Sequence, residues 1–208
     1  LLLALVQHLF IGIFLHDLTF YTKYIWPINM LVLGLASVGV FIEKGRLKNR
    51  VRNLLFVVVL ALPIVLPGVG QLANFVLLLN VCDVLYFVFI FWEIFKFLLR
   101  PGYIDLDIIS ASACGYFLLL EISVFLLQFL FYQNPASFKG VDASWTAATY
   151  IDFVYFSSIT LTSIGFGDIL PNAHYTKLVT AFIGIVGQFY SVVLVGILIS
   201  KFSSNSSS

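Results

Sequence analysis

Six long apolar stretches dominate the sequence and restrict what it can fold into. A helix needs about 20 consecutive apolar residues to cross the hydrocarbon core of a bilayer. Hydrophobic residues make up 61% of the 208 residues and charged residues only 10%, whereas a soluble domain carries about 25% charged residues. The sequence therefore predicts an all-α membrane protein, with six transmembrane helices at about 1–20, 24–42, 53–68, 72–99, 104–132 and 176–201.

Basic residues predict how these helices are oriented, because they concentrate in the cytoplasmic links. Three basic residues, Lys23, Lys139 and Lys177, fall on one side of the predicted topology. The other side holds eight: Lys44, Arg46, Lys48, Arg50, Arg52, Lys96, Arg100 and Lys201. We therefore expect a multi-pass protein of the plasma membrane with both termini in the cytoplasm. The polar, low-complexity residues 203–208 predict a disordered tail.

One polar, glycine-rich segment, TLTSIGFGDILP at 160–171, interrupts this apolar sequence. The apolar stretch at about 145–162 is too short to span a bilayer, which predicts a re-entrant segment. Irregular backbone is tolerated at membrane depth only where it lines a cavity or is buried in protein. Gly165 and Gly167 allow positive φ angles, which let successive carbonyls point the same way. Asp168 adds a negative charge that attracts cations, and hydroxyl groups come from Thr160, Thr162 and Ser163.

The segment TLTSIGFGD resembles the selectivity-filter signature of the tetrameric potassium-channel family, T-x-T-T-V-G-Y-G-D. Upstream, YIDFVYFSSITLT is similar to the family's pore helix, with Asp152 in its first turn. Downstream, GIVGQFYSVVLVGILIS is similar to its inner, pore-lining helix. The resemblance implies a pore domain at 104–202, made of outer helix, pore helix, filter and inner helix. It also implies a preceding four-helix domain at 1–99 and a homotetramer, because one re-entrant loop cannot surround an ion.

The resemblance also implies roles for single residues. Backbone carbonyls replace the water around a potassium ion in such filters, and the matching positions here are Ser163, Ile164, Gly165 and Phe166. Ser163 would add its hydroxyl at the innermost site, and Gly167 would close the outer mouth beside Asp168. Thr160 and Thr162 would support the filter. Three departures from the family leave the carbonyls in place. In the signature, Ser163 lacks a methyl group and Phe166 lacks a phenol that anchors the filter. In the pore helix, Tyr155 and Phe156 stand where many members have tryptophans. We therefore expect filter rigidity to differ.

The inner helix carries further roles implied by the same resemblance. Gly187 stands where the family often has a hinge, and Gly184, one turn earlier, is the alternative. The cavity below the filter is expected to be lined by Ile183, Gly187, Ser191 and Val195.

The fourth apolar stretch lacks the arginine ladder of voltage-gated relatives. Steep voltage gating needs about 3–4 charges per subunit, and the only basic residues here, Lys96 and Arg100, lie at the cytoplasmic end. Its middle holds Asn80 and Asp83, three residues apart on one helix face. Two interpretations of Asp83 stay open: a ligand, proton or cation site, or a hydrogen-bonded bundle contact with Gln7 or His8 as partner.

Glu121 is the second acid within an apolar stretch. We expect a structural hydrogen bond from Glu121 to Gln188 or Tyr190 on the last helix, with a gating switch as the alternative. The segment WEIFKFLLRPG at 92–102 resembles the family's linker to the pore domain, and the spacing of Glu93 and Lys96 predicts that they pair.

Other classes of function find little support in the sequence. Cys82 and Cys114 lie inside apolar runs, and neither a nucleophile–base set nor metal-ligand spacing occurs, so an enzyme or an organic cofactor is not expected. The net charge of +1 argues against a nucleic-acid partner. Alternatives are a weakly selective cation channel, a broken-helix transporter and a non-conducting or regulatory membrane subunit. A transporter predicts repeated halves, whereas only one filter-like segment occurs. Potassium ions and lipid are the implied ligands, and a cytoplasmic regulatory domain or subunit outside this chain stays open.

Overall fold

The computed structural model is mainly helical and describes residues 1–14, 17–41, 46–69, 73–99 and 106–205. Its N-terminal half contains α1 (Leu2–Phe10), a 3₁₀ turn (Ile11–Phe14), α2 (Leu18–Phe20), a π-helical segment (Tyr21–Ile25), α3 (Trp26–Phe41), α4 (Arg46–Val69) and α5 (Ala73–Leu98). Its C-terminal half contains α6 (Leu106–Gln133), a 3₁₀ turn (Pro135–Ser137), β1 (Phe138–Lys139), α7 (Thr146–Leu161), β2 (Leu170–Pro171) and α8 (His174–Asn205).

Three helices of the described chain are long and apolar enough to cross a membrane. They are Phe75–Leu98 in α5, Leu106–Gln133, which is α6, and His174–Ser200 in α8. These three helices correspond to the fourth, fifth and sixth predicted spans. The six-span layout of the whole chain stays a prediction.

The first predicted span, 1–20, is broken in the structure. Helix α1 and the 3₁₀ turn after it end at Phe14, and a segment of that length is too short for a bilayer core. Asp17 is the reason for the new start beyond it, because its Oδ1 accepts the backbone N–H groups of Thr19 at 2.9 Å and Phe20 at 3.0 Å. A carboxylate in this position caps the beginning of a helix.

Aromatic side chains join the N-terminal segment to the C-terminal helices in one core. Phe87 of α5 stacks on Phe125 of α6, with ring centroids 5.6 Å apart and planes at 16°. Trp26 at the start of α3 meets Tyr150 of α7 edge to face at 4.5 Å. Such pairs bury large apolar areas and add about 0.5–1.5 kcal/mol each beyond that burial. Helices α6 and α7 are therefore packed directly against α3 and α5 of the N-terminal half.

Backbone hydrogen bonds tie the segments on either side of α7 together. Strands β1 and β2 pair antiparallel, with Phe138 opposite Pro171 and Lys139 opposite Leu170. The carbonyl of Ser137 accepts the backbone N–H of Asn172 at 2.7 Å and the hydroxyl of Thr176 at 3.0 Å. The end of α6 and the start of α8 are thus held at one level, with α7 and residues 163–168 between them.

The end of the last helix differs from the prediction, and some predicted features fall on residues that the structure does not describe. Helix α8 continues to Asn205, three residues into the tail predicted to be disordered, since serine lowers helix propensity only modestly. Residues 206–208, Lys44, and the Pro-Gly pair at 101–102 lie outside the described residues. The predicted pairing of Glu93 with Lys96 is confirmed, at 3.5 Å.

Candidate ion filter

The filter segment, defined here as residues 163–168, follows a helix that is held firmly at its beginning. The Thr149 hydroxyl of α7 donates to the carbonyl of Asp142 at 2.8 Å. The backbone N–H of Asp142 in turn donates to Oδ2 of Asp152 at 2.7 Å. Asp152 lies in the second turn of α7, not in the first as the resemblance implied, because α7 begins only at Thr146. It therefore fixes the preceding loop and does not cap the helix.

The last turn of α7 accepts the first backbone N–H groups of the filter segment. Ser163 donates to the carbonyl of Thr160 at 3.1 Å, and Ile164 and Gly165 both donate to the carbonyl of Ile159, at 2.9 and 3.2 Å. The Thr162 hydroxyl donates back to the carbonyl of Ser158 at 2.7 Å. The two predicted supports, Thr160 and Thr162, thus act at the end of α7, Thr160 through its backbone and Thr162 through its side chain.

The backbone of the filter segment alternates in handedness. The φ angle is +59° at Ser163, +56° at Gly165 and +83° at Gly167, while it is not positive at Ile164 and Phe166. In an ordinary strand successive residues face opposite sides. Reversing the sign of φ at every second residue favours carbonyls that face one side. Ser163 is the only non-glycine residue of the described chain with a positive φ.

Conformation, and not space, explains the two glycines. A Cβ added at Gly165 or Gly167 would meet nothing within 4 Å in the protomer. A residue with a Cβ pays about 1–2 kcal/mol for the left-handed conformation, and glycine does not. The sequence-based reason for the G-x-G pair is therefore supported by the backbone angles.

Tyr155 of α7 contacts the last residues of the filter segment. Its hydroxyl donates to Oδ2 of Asp168 at 2.7 Å, and its ring lies parallel to that of Phe166, with centroids 6.5 Å apart and planes at 4°. The hydrogen bond holds the pKa of the exposed Asp168 carboxyl below its usual 3.8. Phe166 lacks a phenol that could bond to α7. A phenol of α7, that of Tyr155, bonds instead to Asp168 in the filter segment.

Replacing Tyr155 by Phe should make the mouth lose its negative charge at a higher pH. A depressed pKa means that the Tyr155–Asp168 contact stabilises the fold above the usual pKa of 3.8 and loses this effect as the pH falls through the lower folded value. Without the hydroxyl, the pKa of Asp168 rises toward 3.8. Ion conductance, measured in planar bilayers while the outer side is acidified, should therefore fall at a higher pH in Tyr155→Phe than in the wild type.

Tyr175→Phe is the matched control, since it removes a hydroxyl on α8 beyond the filter segment. It should titrate like the wild type. Equal acid titration of conductance in Tyr155→Phe and the wild type would show that the Tyr155 hydroxyl does not control Asp168.

A second side-chain bond lies at the inner end of the filter segment. Nε2 of Gln188 on α8 donates to Oγ of Ser163 at 2.8 Å. Ser163 and Gln188 also line an open groove of about 560 Å³ beside α8, together with Ala181, Gly184, Ile185, Phe189 and Val192. One face of α8 is thus placed directly below the filter segment.

A comparison with known families agrees with this geometry. The family model described as "Ion channel" matches residues 115–204, from α6 through the filter segment to the last turns of α8. Over these residues the chain is similar to an ion-channel family. No curated protein and no solved structure gives a significant match to the chain. The matched region nearly coincides with the predicted pore domain, and it makes this protein a channel and not an enzyme, as the sequence predicted.

The face of α8 that the channel turns toward its filter differs from the predicted one. Ile183 is only 5% exposed and belongs to the core, and a Cβ at Gly187 would lie 2.5 Å from Cδ2 of Leu161. The stripe below the filter contains Gly184, Gln188 and Val192. The prediction was therefore wrong by one residue for Ile183 and Gly187, a rotation of about 100°, whereas Ser191 and Val195 as lining residues stay predictions.

Close packing gives the physical reason for this rotation. Gly187 lets the end of α7 approach the α8 backbone, and Tyr190, on the same side of α8, donates its hydroxyl to the carbonyl of Ser112 on α6 at 2.9 Å. Both contacts turn this face of α8 toward its own protomer. Gly184 has only ordinary contacts with Thr160, at 3.8 Å. A hinge at Gly187 or Gly184 stays a prediction.

Glu121 of the channel has a different partner from the one expected. Its Oε1 lies 2.6 Å from Nδ1 of His8 on α1, and both side chains are fully buried. The Tyr150 hydroxyl of α7 lies 3.2 Å from the same nitrogen. The predicted partners are engaged elsewhere, Gln188 with Ser163 and Tyr190 with Ser112. Glu121 therefore joins the first helix and the pore helix to the outer helix α6.

Asp83 and Asn80 are both buried in α5, as their shared face predicted. Asn80 donates to the carbonyl of Val76 at 2.7 Å in its own helix. Neither oxygen of Asp83 has a hydrogen-bond partner in the described part of the chain. Its predicted partners are engaged elsewhere, Gln7 with Asn29 and His8 with Glu121. The predicted hydrogen bond of Asp83 with Gln7 or His8 was therefore wrong, and the role of Asp83 stays open.

Sequence reasoning missed three side chains of this region. Tyr155 was noted only for filling a position where relatives have tryptophan, and its hydrogen bond to Asp168, 13 residues further along the chain, was not predicted. Gln188 was singled out, but it was assigned to the wrong partner. His8 was considered only for Asp83, and nothing in the sequence links it to Glu121, 113 residues away.

Proposed function

We propose that the protein is a potassium-selective channel that conducts K⁺ passively through the filter segment. The observation that supports this proposal most directly is the positive φ at Ser163, Gly165 and Gly167, every second residue. This alternation favours a row of carbonyls on one side of the backbone. Such a row replaces the hydration shell of K⁺. The proposed ligands are the carbonyls of Ser163, Ile164, Gly165 and Phe166, with K⁺ as the bound ion. Asp168, held charged by Tyr155, draws cations to the mouth.

Assembly into a homotetramer belongs to the same proposal. In the single protomer the side chains of Ile164 and Phe166 are 56% and 71% exposed, although this backbone is irregular and lies between membrane-spanning helices. Irregular backbone at that depth needs protein or a water-filled cavity beside it. Further copies around a fourfold axis supply both. A stripe of large apolar side chains on α8 is exposed and available for this contact: Leu178, Phe182, Ile185, Phe189, Val192 and Val195.

The proposed channel is not steeply voltage-gated. Within the described part of α5 the charged residues are Asp83, Glu93 and Lys96, so this helix presents one basic side chain. Moving one charge through 100 mV supplies about 2.3 kcal/mol, and steep gating uses about 3–4 charges per subunit. The proposed place of the channel is the plasma membrane, with both termini cytoplasmic, as the distribution of basic residues predicts.

Liposomes holding the purified protein test the proposal. Potassium flux should exceed sodium flux by at least about 100-fold, since a carbonyl cage discriminates by several kcal/mol and each 1.4 kcal/mol is a factor of ten. Barium, with nearly the radius of K⁺ and twice its charge, should block the flux. Planar-bilayer currents of the same protein should change only gradually with voltage.

Protein-free liposomes are the control for leakage. Equal potassium and sodium fluxes would favour the alternative of a weakly selective cation channel, for which the serine and phenylalanine in the filter segment are the relevant features. Flux no greater than in protein-free liposomes would favour a non-conducting or regulatory subunit.

A further inference from the structure

Ser163 adopts an unfavourable backbone conformation at the inner end of the filter segment. Its φ of +59° lies in the left-handed region, where a residue with a Cβ is disfavoured and persists only when its surroundings hold it. Two contacts hold it: its backbone N–H donates to the carbonyl of Thr160 at 3.1 Å, and its Oγ accepts from Nε2 of Gln188 at 2.8 Å. One contact comes from the pore helix and the other from α8.

The contact with Gln188 restricts a hydroxyl that would otherwise rotate. A serine hydroxyl has two acceptor lone pairs and one donor hydrogen. The Gln188 amide occupies one lone pair, which leaves the second for a cation. A threonine would be restrained by its own branched Cβ, but Ser163 lacks that methyl group. The hydrogen bond thus replaces a steric restraint that the sequence does not provide.

The neighbouring residue makes the position of Gln188 well defined. Gly187 allows the backbone of α8 to approach Leu161 of the pore helix so closely that a Cβ there would lie 2.5 Å from Cδ2 of Leu161. Gln188 therefore leaves α8 at the point where this helix contacts the end of α7. The backbone position from which its amide reaches the filter segment is therefore set by this helix contact.

We propose that Gln188 is a positioning residue for the inner end of the filter, where its amide orients the Ser163 hydroxyl toward the permeating cation. The inference rests on the proposed function of the filter segment. It adds a direct side-chain link between the inner helix α8 and the filter segment.

Gln188→Leu tests this role, because leucine keeps the size of the side chain and cannot donate. In liposomes the ratio of potassium to sodium flux should fall roughly tenfold, the effect of losing about one hydrogen bond. Gln133→Leu is the matched control, since it makes the same change at an exposed position at the end of α6. It should keep the wild-type ratio. An unchanged ratio in Gln188→Leu would overturn the inference while leaving the proposed function intact.

A double-mutant cycle separates positioning from a general structural role. In a Ser163→Ala background the hydroxyl is gone, so adding Gln188→Leu should change the flux ratio no further. In a Ser163→Thr background the methyl group restores the restraint, so adding Gln188→Leu should leave most of the selectivity. If Gln188→Leu lowers the flux ratio by the same factor in the wild type, in Ser163→Ala and in Ser163→Thr, the inference is overturned. If Gln188→Leu does not assemble, Gln188→Asn replaces it in the same double-mutant cycle. The asparagine side chain is one methylene shorter, so its amide does not reach the Ser163 hydroxyl.

The hydrogen bond itself is measured independently of conduction. The side-chain amide ¹⁵N resonance of Gln188, recorded in liposomes, should move when Ser163 is replaced by Ala. A resonance that does not move would contradict the bond, whatever the ion selectivity. A wild-type protein that passes sodium and potassium equally but shows the shift would contradict the proposed function and leave the Gln188–Ser163 contact standing.

Discussion

Substituting Gly165 by Ala should abolish selective potassium conduction. At φ +56° an alanine is disfavoured by about 1–2 kcal/mol, which amounts to about 4–8 kcal/mol over the four copies of the proposed homotetramer. The chain relieves this penalty by moving the 165 peptide to a negative φ, which turns its carbonyl out of the row. Since 1.4 kcal/mol is a factor of ten, potassium flux into liposomes should fall at least about 100-fold.

Gly196→Ala is the control for this experiment. Gly196 also has open space around its Cβ position, but it lies within α8 and its φ is not positive. Alanine is favoured over glycine in a helix by up to about 1 kcal/mol, so this variant should conduct like the wild type and assemble at least as well. Normal potassium flux in Gly165→Ala would show that the positive φ is not needed for conduction, and the carbonyl-row proposal would fail with it.

The positive φ angles of Gly165 and Gly167 were predictable because the requirement for them is local. A backbone that must present successive carbonyls to one side needs residues that tolerate positive φ, and glycine at every second position is a direct sign of that need. The same holds for the long apolar helices α5, α6 and α8, whose lengths follow from bilayer thickness. These features depend on short stretches of sequence, so they can be predicted without knowledge of the tertiary contacts.

The rotation of α8 and the partners of the buried polar groups were not predictable in this way. Helix α8 is apolar on every side, so no stripe indicates which face turns inward, and the choice follows from how closely Gly187 approaches Leu161. The partner of Glu121 comes from α1, far away in sequence. A buried carboxylate needs a partner, but several helices offered one, and only the packing of all of them selects His8.

That packing also changes what the two departures from the filter signature mean. Ser163 and Phe166 each lack a group that would restrain the filter, which by itself predicts a looser filter. In the structure Gln188 reaches Ser163 and Tyr155 reaches Asp168, with hydrogen bonds of 2.8 and 2.7 Å. The filter therefore has restraints at both ends, but they are hydrogen bonds from neighbouring helices, which respond to helix movement more than a methyl contact does.

Replacing Glu121 by Ala should lower the thermal stability of the channel. Removing one partner of a buried hydrogen-bonded pair costs about 1–3 kcal/mol, because the other partner is left unsatisfied. His8 would then remain fully buried beside Trp26 and Tyr150, with ring centroids 5.7 Å away in each case. The measurement is thermal unfolding of the purified protein in detergent. Ser123→Ala is the control, since within the described residues its buried hydroxyl donates to the carbonyl of Leu119 in the same helix.

The double substitution of His8 and Glu121 by Leu decides whether this pair is a stabilising link or a restraint on geometry. Replacing both partners of a buried pair by apolar groups is often neutral, whereas replacing one is not. We expect the double variant to regain most of the thermal stability lost in Glu121→Ala. A double variant less stable than the single one would contradict the pairing. If it is stable but conducts differently, then the pair matters for how α1 and α6 hold Tyr150 of the pore helix. The polar contact would then act on the filter through α7, and not on the stability of the fold.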